Sequence, residues 1–460
     1  MKKNLRALKF LSVLVAIQAL GISAAFSADP IPYPSKPPLA VGTEKEFWVW
    51  DLNVMPPSFR KAKLTLREVG KRSYIYVEDK FWQRPIDQEM LDRFLERLEK
   101  KSPTGAVLPD YGIIPLEEAL FAALPSKINP DERLNILFAD LGKYKNYEFD
   151  GFFNAYDQMK DSDSWKDAQQ HSNEANIIYI NGLRQSEDYT LGVISHELQH
   201  LLAYHAVPDQ DPFQQDLWLS ETLAEGAMLL NGYYGDQGHV NTYAQNTAAY
   251  PLVSESYVQY GSQLLFSSFL IDNISNYGGL GELTRAGIKG RDAVEALFQH
   301  QTSAPISFDA LYSNFIAYIY NAAQKTELLP KIWHASGSAL NVFGLRVPAI
   351  TSAATITALP SVNEGILLPY TFLTFDLAKE LPQDSLVKVE LLPHPNDSNP
   401  TKECSKGEVP LWKPLSTKTI AVYSIGCEHK DKNDAIRFRL SIFEKPSIFL
   451  PNPAPFRLAF

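Results

Sequence analysis

Hydrophobic and polar positions alternate over short stretches in the first 180 residues and predict a series of strands. The stretches rich in β-forming residues are 46–51, 62–67, 73–77, 135–139 and 175–180. Apolar residues at helical spacing, with charged residues between them, predict helices at 87–101 and 116–124. Because strands and helices do not alternate strictly, the pattern favours an α+β fold over a parallel α/β fold.

A mostly helical pattern begins at Asp188 and continues to about residue 330. The first of these helices carries an apolar stripe on one face, formed by Leu191, Ile194, Leu198 and Leu201. A loop rich in Pro and Asp ends this helix, and Asp216 is predicted to be the N-cap of the next one. The stripe indicates that the first helix packs against a core.

The pattern changes again after about residue 340, where strand-like runs separated by Pro, Asn and Gly return. These runs are 371–375, 386–391, 419–423 and 436–440. The change predicts two domains: a larger α+β domain over 45–335, and a small all-β domain, similar to a β-sandwich, over 340–460.

The N-terminal segment has the three parts of a secretory signal peptide. Basic residues at the start are followed by the apolar run 10–22 and then by small residues at 23–28. A membrane anchor is the alternative, but the run is short and contains polar positions. We therefore predict a signal peptide at 1–27 and an extended, Pro-rich linker at 28–44. The mature protein is expected to be exported, periplasmic or extracellular, and to have no integral membrane segment.

The composition is that of a globular protein with an acidic surface. The formal net charge is −10, and four of the basic residues lie in the predicted signal peptide, so the rest of the chain is more acidic still. This charge argues against nucleic acid or an anionic membrane as the main partner. The two cysteines, Cys404 and Cys427, lie in the predicted β domain. In an exported protein such a pair predicts one disulfide.

The stretch His196-Glu197-Leu198-Gln199-His200 lies within the helix predicted after Asp188. Residues four positions apart lie one above the other on a helix, so His196 and His200 can bind one metal ion while the helix stays regular. Glu197 projects about 100° away around the helix axis, beside the metal position. Two histidines at this spacing, with a glutamate after the first, are typical of zinc hydrolases.

The following helix supplies a predicted third ligand, Glu221, within Trp218-Leu219-Ser220-Glu221. Glu225 lies one turn further on the same face and can hydrogen-bond the outer ring nitrogen of a ligand histidine. Three protein ligands with one open position are the pattern of a catalytic zinc ion, not of a structural one. The alternative is that both histidines are ordinary polar residues at the edge of a helix.

This ligand set predicts hydrolysis of an amide bond by water. One Zn²⁺ held by His196, His200 and Glu221 lowers the pKa of water towards ~7. Glu197 then acts as the general base, removing a proton from the water and passing it to the leaving amine.

Two further parts of a catalytic site have candidates in the sequence. A tyrosine is the usual second donor to the oxyanion. Tyr260 is favoured for this role, with Tyr257 as the alternative. The strand at 175–180 is either a sheet edge that pairs with an extended substrate or an interior strand.

The two motifs, at 196–200 and 218–225, resemble those of the gluzincins, zincin metallopeptidases whose third ligand is a glutamate. Within this group the chain looks most like the hyicolysin family of secreted bacterial metallopeptidases, with weaker matches at 172–174 and 260–261. That family usually continues W-L-N-E-G, whereas Ser220 and Thr222 replace Asn and Gly here. The metzincin pattern is not met, because Ala203 and Ala206 stand where it needs a glycine and a third histidine.

The resemblance implies a zincin-like catalytic domain with a mixed sheet, an active-site helix and a helical subdomain. It also implies an exported bacterial endopeptidase that acts on polypeptides, with the zinc ligands and base named above. A gluzincin aminopeptidase is one alternative, but the G-x-M-E-N element of those enzymes is not found in 105–190. A zinc-binding protein without catalytic activity is another, and the intact Glu197 argues against it.

Overall fold

A computed structural model describes residues 36–443 of the chain. Within this span the residues outside the description are 125–127, 129–130, 132, 145–146, 184–185, 207–215, 234–236, 255–259, 275–277, 286–288, 303–304, 325–345, 383–384, 393–410 and 426–435. The predicted signal peptide, residues 28–35 of the predicted linker and the predicted boundary at 335–340 therefore lie outside the described residues. By its contacts the chain divides into two compact units, and the second is formed by Asn241–Ser262, Asp309–Thr326 and Val347–Phe460.

The first unit contains a six-stranded sheet and a separate two-stranded hairpin. Its strands are β1 (Glu44–Asp51), β2 (Ser58–Val69), β3 (Ser73–Glu78), β4 (Leu134–Ala139), β5 (Lys143–Tyr144), β6 (Tyr147–Glu148), β7 (Gly151–Phe153) and β8 (Ile177–Asn181). The large sheet has the order β1-β2-β3-β4-β8-β7, while β5 and β6 pair with each other. Strands β3, β4 and β8 are parallel, and β1, β2 and β7 each run antiparallel to a neighbour.

The described helices lie in the regions where the hydrophobic pattern predicts helices, except for one at 161–168 that the pattern does not predict. They are α1 (Gln88–Glu99), α2 (Ile113–Leu120), α3 (Asp161–Ala168), α4 (Glu187–Ala206), α5 (Leu217–Leu230), α6 (Gln237–Gln245), α7 (Gly261–Asn273), α8 (Gly278–Arg285), α9 (Gly290–Thr302) and α10 (Phe308–Ala323). No described helix has the length and apolar character needed to cross a membrane. The prediction of an α+β fold is confirmed.

The local sequence explains where these elements begin and what they bury. Asp87 accepts a hydrogen bond from the backbone N–H of Met90 and so caps α1, whose buried face includes Phe94. Phe94 packs on Phe138 of β4, with ring centroids 6.0 Å apart. Alternate residues of the strands point to the opposite face of the sheet, where they form a second core that includes Phe47.

The second unit contains two small sheets. Its strands are β9 (Ser352–Ile356), β10 (Ser361–Leu367), β11 (Phe372–Leu377), β12 (Leu386–Leu392), β13 (Leu411–Ser416), β14 (Thr419–Tyr423) and β15 (Ile436–Phe443). One sheet has the order β10-β15-β12 and the other β13-β14-β11-β9. Both sheets contribute to one core, in which Phe375 and Phe438 pack edge to face with ring centroids 6.2 Å apart. The predicted return to strands after residue 340 is confirmed.

Candidate metal centre

The two predicted histidine ligands and the predicted third ligand come together where α4 packs against α5. His196 Nε2 lies 3.1 Å from Glu221 Oε2, and His200 Nε2 lies 3.7 Å from the same oxygen. Ligand atoms of a tetrahedral zinc ion, each about 2.1 Å from the metal, are about 3.4 Å apart, so the two distances bracket the required separation. The three residues therefore can hold a metal ion, and zinc as its identity stays a prediction.

Burial and charge oppose each other in this group. Burial alone would raise the pKa of Glu221, but the positive charge of His200 and the hydrogen bonds to His196 and His200 hold it well below its ordinary range. Burial alone would lower the pKa of His196, but hydrogen bonds to Glu221 and Glu225 raise it well above its usual value. A buried carboxylate that depends on positive neighbours in this way is suited to hold a cation.

Each histidine has a second polar neighbour at its other ring nitrogen. His196 Nδ1 lies 3.4 Å from Glu225 Oε1, and His200 Nδ1 lies 3.1 Å from Ser220 Oγ. An N–H at Nδ1 that donates outwards leaves the lone pair of Nε2 free for a metal ion. The structure thus brings Glu225 to the place predicted from the sequence. It also shows that Ser220 is a partner of His200. In the sequence, Ser220 stood out only because it replaces the asparagine of a family motif.

A glycine on α4 allows the two helices to approach closely at this point. A Cβ atom at Gly192 would lie 2.8 Å from the carbonyl oxygen of Tyr233 and 3.0 Å from Cε of Met228. Both distances are shorter than ordinary carbon contacts, so any larger residue would push the segment at the end of α5 away. Gly192 precedes His196 by one helical turn, which places the close approach directly beside the ligands.

The predicted base, Glu197, is buried beside the ligands. It is only 8% exposed. Burial raises the pKa of Glu197, against the opposing effect of the positive charge on His196 and His200 and of a hydrogen bond from the backbone N–H of Phe153. A carboxyl with a raised pKa that lies next to a metal site has the properties of a general base or acid.

The strand that donates this hydrogen bond, β7, is the edge of the large sheet. Among the described residues it pairs with β8 alone, and β8 is itself paired with β4 on its other side. The strand predicted at 175–180 is therefore an interior strand, and the edge lies at Gly151–Phe153, which the sequence did not indicate. A Cβ at Gly151 would lie 2.7 Å from Val193 Cγ1, so glycine is what allows β7 to lie against α4.

The remaining predicted site residues are placed as follows. Tyr260 is half-buried in the turn directly before α7 and belongs to the second unit. Tyr257 lies outside the described residues, so the choice between the two tyrosines stays a prediction. Cys404 and Cys427 also lie outside the described residues, and the disulfide between them stays a prediction.

Comparison with known proteins does not assign the chain to a family. No protein-family model matches the chain, and no curated protein is significantly similar to it. The functional conclusion therefore depends on the residues and geometry of the site itself.

Proposed function

We propose that the chain is an exported zinc-dependent endopeptidase. The observation that supports this most strongly is the position of Glu197, a buried carboxyl with a raised pKa, beside the ligand group of His196, His200 and Glu221. Export is supported by the signal-like pattern of residues 1–27.

Each residue of the site has a separate role in the proposed peptide hydrolysis. His196, His200 and Glu221 would hold zinc, which when bound supplies the Lewis acidity that acidifies water and polarises a carbonyl group. Glu197 accepts the proton of the attacking water and then donates it to the nitrogen of the leaving amine. Tyr260 remains the candidate donor to the oxyanion.

The edge strand supports a polypeptide as the substrate. The outer side of β7 has no strand paired to it among the described residues. An extended peptide can add to such an edge through main-chain hydrogen bonds, which do not depend on side-chain identity. Because Phe153 of β7 donates to Glu197, a peptide bound along this edge would lie next to the catalytic base.

The presence of Glu197 also argues against a purely metal-binding role. Glu197 is not one of the three ligands, so a protein that only binds metal has no need of a general base directly after the first histidine. An aminopeptidase would need a group that binds the free amine of the substrate. The sequence lacks the gluzincin element for that role.

Digestion of a denatured protein whose amino groups have been blocked by methylation tests the proposal. The zinc-loaded protein should generate new internal N-termini, detected by mass spectrometry, and a zinc chelator should abolish them until zinc is restored. Release of single residues from unblocked peptides, with no internal cuts, would identify an aminopeptidase instead. A protein that binds zinc and cleaves neither substrate would contradict the proposal.

A further inference from the structure

A carboxyl group with no exposure to solvent lies behind the candidate metal centre. Glu117 of α2 accepts hydrogen bonds from Ser195 Oγ at 2.7 Å and from Asn231 Nδ2 at 2.8 Å. Asn231 Nδ2 also lies 2.8 Å from Ser195 Oγ, so the three side chains form a closed polar cluster. All three are 0% exposed.

This cluster connects the two helices that carry the metal ligands. Ser195 immediately precedes His196 on α4. Asn231 is the C-cap of α5, the helix of Glu221, and its backbone N–H bonds to Ala227 O. The carboxyl of Glu117 is thus hydrogen-bonded to both helices at once, one residue from a histidine ligand and at the end of the helix that supplies the glutamate ligand.

Two polar atoms of this cluster lack the hydrogen-bond partners that buried polar groups usually have. Glu117 Oε2 and Asn231 Oδ1 are buried and have no hydrogen-bond partner among the described residues. Burial raises the pKa of Glu117 well above its ordinary range, against the opposing effect of the hydrogen bonds from Ser195 and Asn231. A buried polar group lowers the stability of the fold unless it is hydrogen-bonded. Its hydrogen bonds depend on direction, which apolar contacts do not, so they fix the orientation of the groups that they join.

The neighbouring glutamate of α2 shows the contrast. Glu118 is also buried, but it forms an ion pair with Arg72 at 2.6 Å and accepts from the backbone N–H of Leu124. Neither of these partners belongs to α4 or α5. These two bonds of Glu118 connect α2 to segments other than α4 and α5, whereas the bonds of Glu117 lead to both of those helices.

We infer that Glu117 is a positioning residue for the metal centre, which holds α4 and α5 in the relative orientation that brings His196 and His200 to Glu221. The inference rests on the proposed function, because it concerns the same ligands. Rotation of either helix would change the separations of the ligand atoms, which now lie close to those that a tetrahedral metal ion requires. The hydrogen bonds of Glu117 are to Ser195 and Asn231, neither of which is a predicted ligand.

Zinc affinity tests this role separately from catalysis. The dissociation constant for zinc is measured by competition with a chromophoric chelator in the wild type, Glu117→Leu, Glu117→Gln and Glu118→Gln. We expect Glu117→Leu to weaken zinc binding about 10-fold, the low end of the effect of losing a direct partner of a ligand, because Glu117 acts through Ser195 and Asn231. Glu117→Gln, which keeps a donor and an acceptor, should restore most of that loss, and Glu118→Gln should leave the affinity unchanged.

Ser195→Ala provides a second test if Glu117→Leu does not fold. It removes only the hydroxyl that donates to Glu117, and it should weaken zinc binding in the same direction. If the wild type binds zinc and Glu117→Leu or Ser195→Ala binds it equally tightly, the inference is wrong. The proposed function is not affected by that result. A wild type that binds no zinc would overturn both.

Discussion

The hydroxyl oxygen of Ser220 lies 3.1 Å from Nδ1 of His200. Ser220 directly precedes the ligand Glu221, so α5 supplies both a ligand and a hydrogen-bond partner for a histidine of α4. Together with Glu225 at His196, it gives both histidines an outer partner that can fix the tautomer in which Nε2 is free to bind metal.

Replacement of Ser220 by Ala is predicted to weaken zinc binding by about 10-fold, because His200 loses the partner that fixes its tautomer and ring orientation. Competition with a chelator measures the change. Thr222→Ala is the matched control, since the Thr222 hydroxyl on the same helix donates to the carbonyl oxygen of Trp218 and not to a ligand. Equal effects of the two substitutions would show that Ser220 does not act through His200.

Replacement of Phe153 by Pro should lower the turnover number and leave zinc affinity unchanged. Proline removes the backbone N–H that donates to Glu197, and an edge strand tolerates proline better than an interior strand does. Phe153→Ala keeps the N–H and loses only the ring. We expect the proline variant to have at least about a 10-fold lower kcat than the alanine variant, since a misplaced base loses much of its contribution. Equal kcat values in the two variants would contradict this.

Replacement of Gly192 by Ala is predicted to destabilise the protein by about 1–3 kcal/mol and to weaken zinc binding, because the new methyl group meets the carbonyl oxygen of Tyr233, just after α5, and the side chain of Met228. Gly226→Ala is the control. A Cβ at Gly226 would meet its nearest neighbour, Leu280 Cδ1, at 3.4 Å, and alanine favours a helix by about 1 kcal/mol over glycine. Thermal unfolding and zinc competition measure both effects, and a neutral Gly192→Ala would show that the helices can part without cost.

The stability of the fold should depend on the ionisation of Asp157. Burial raises the pKa of Asp157 to about 7 from an ordinary value of 3.8, against hydrogen bonds from Tyr179 and Asn173. Between these values the folded state keeps a proton that the unfolded state has lost. The stabilisation is therefore complete below about pH 4 and is lost as the pH rises towards 7.

Asp157→Asn removes this dependence. The free energy of unfolding of the wild type, relative to that of the variant, is expected to fall between pH 4 and 7 by up to about 4 kcal/mol, since each unit of pKa shift corresponds to about 1.4 kcal/mol. Urea denaturation at several pH values measures it. Parallel curves for wild type and Asp157→Asn would refute the prediction.

The sequence predicted those parts of the site whose geometry is local. His196 and His200 are four residues apart on one helix, and Glu221 and Glu225 are four apart on the next, so helical periodicity alone places each pair on one face. The strands with strong β-forming patterns and the helix at α1 were predicted for the same reason. Each depends on residues that are neighbours in the chain.

The parts that the sequence did not predict depend on contacts between distant residues. Strand β7 has three residues and exists because it pairs with β8 and fits against α4 at Gly151. Ser220 becomes a partner of His200 only when the two helices are packed, and Glu117 reaches Ser195 across 78 positions of the chain. No helix was predicted at 161–168, although the acidic residues Asp161 and Asp163 suit the first turn of a helix.

The central claim is tested most directly by comparing the wild type with Glu197→Gln, with zinc content and cleavage of a denatured protein measured on the same samples. Each form is predicted to hold one zinc ion per chain, because Glu197 is not among the three ligands. Cleavage should be seen only in the wild type, with the rate in the variant lower by at least about 100-fold, as expected when a general base is removed. A wild type and a variant that cleave at the same rate, or a wild type that holds no zinc, would contradict the account.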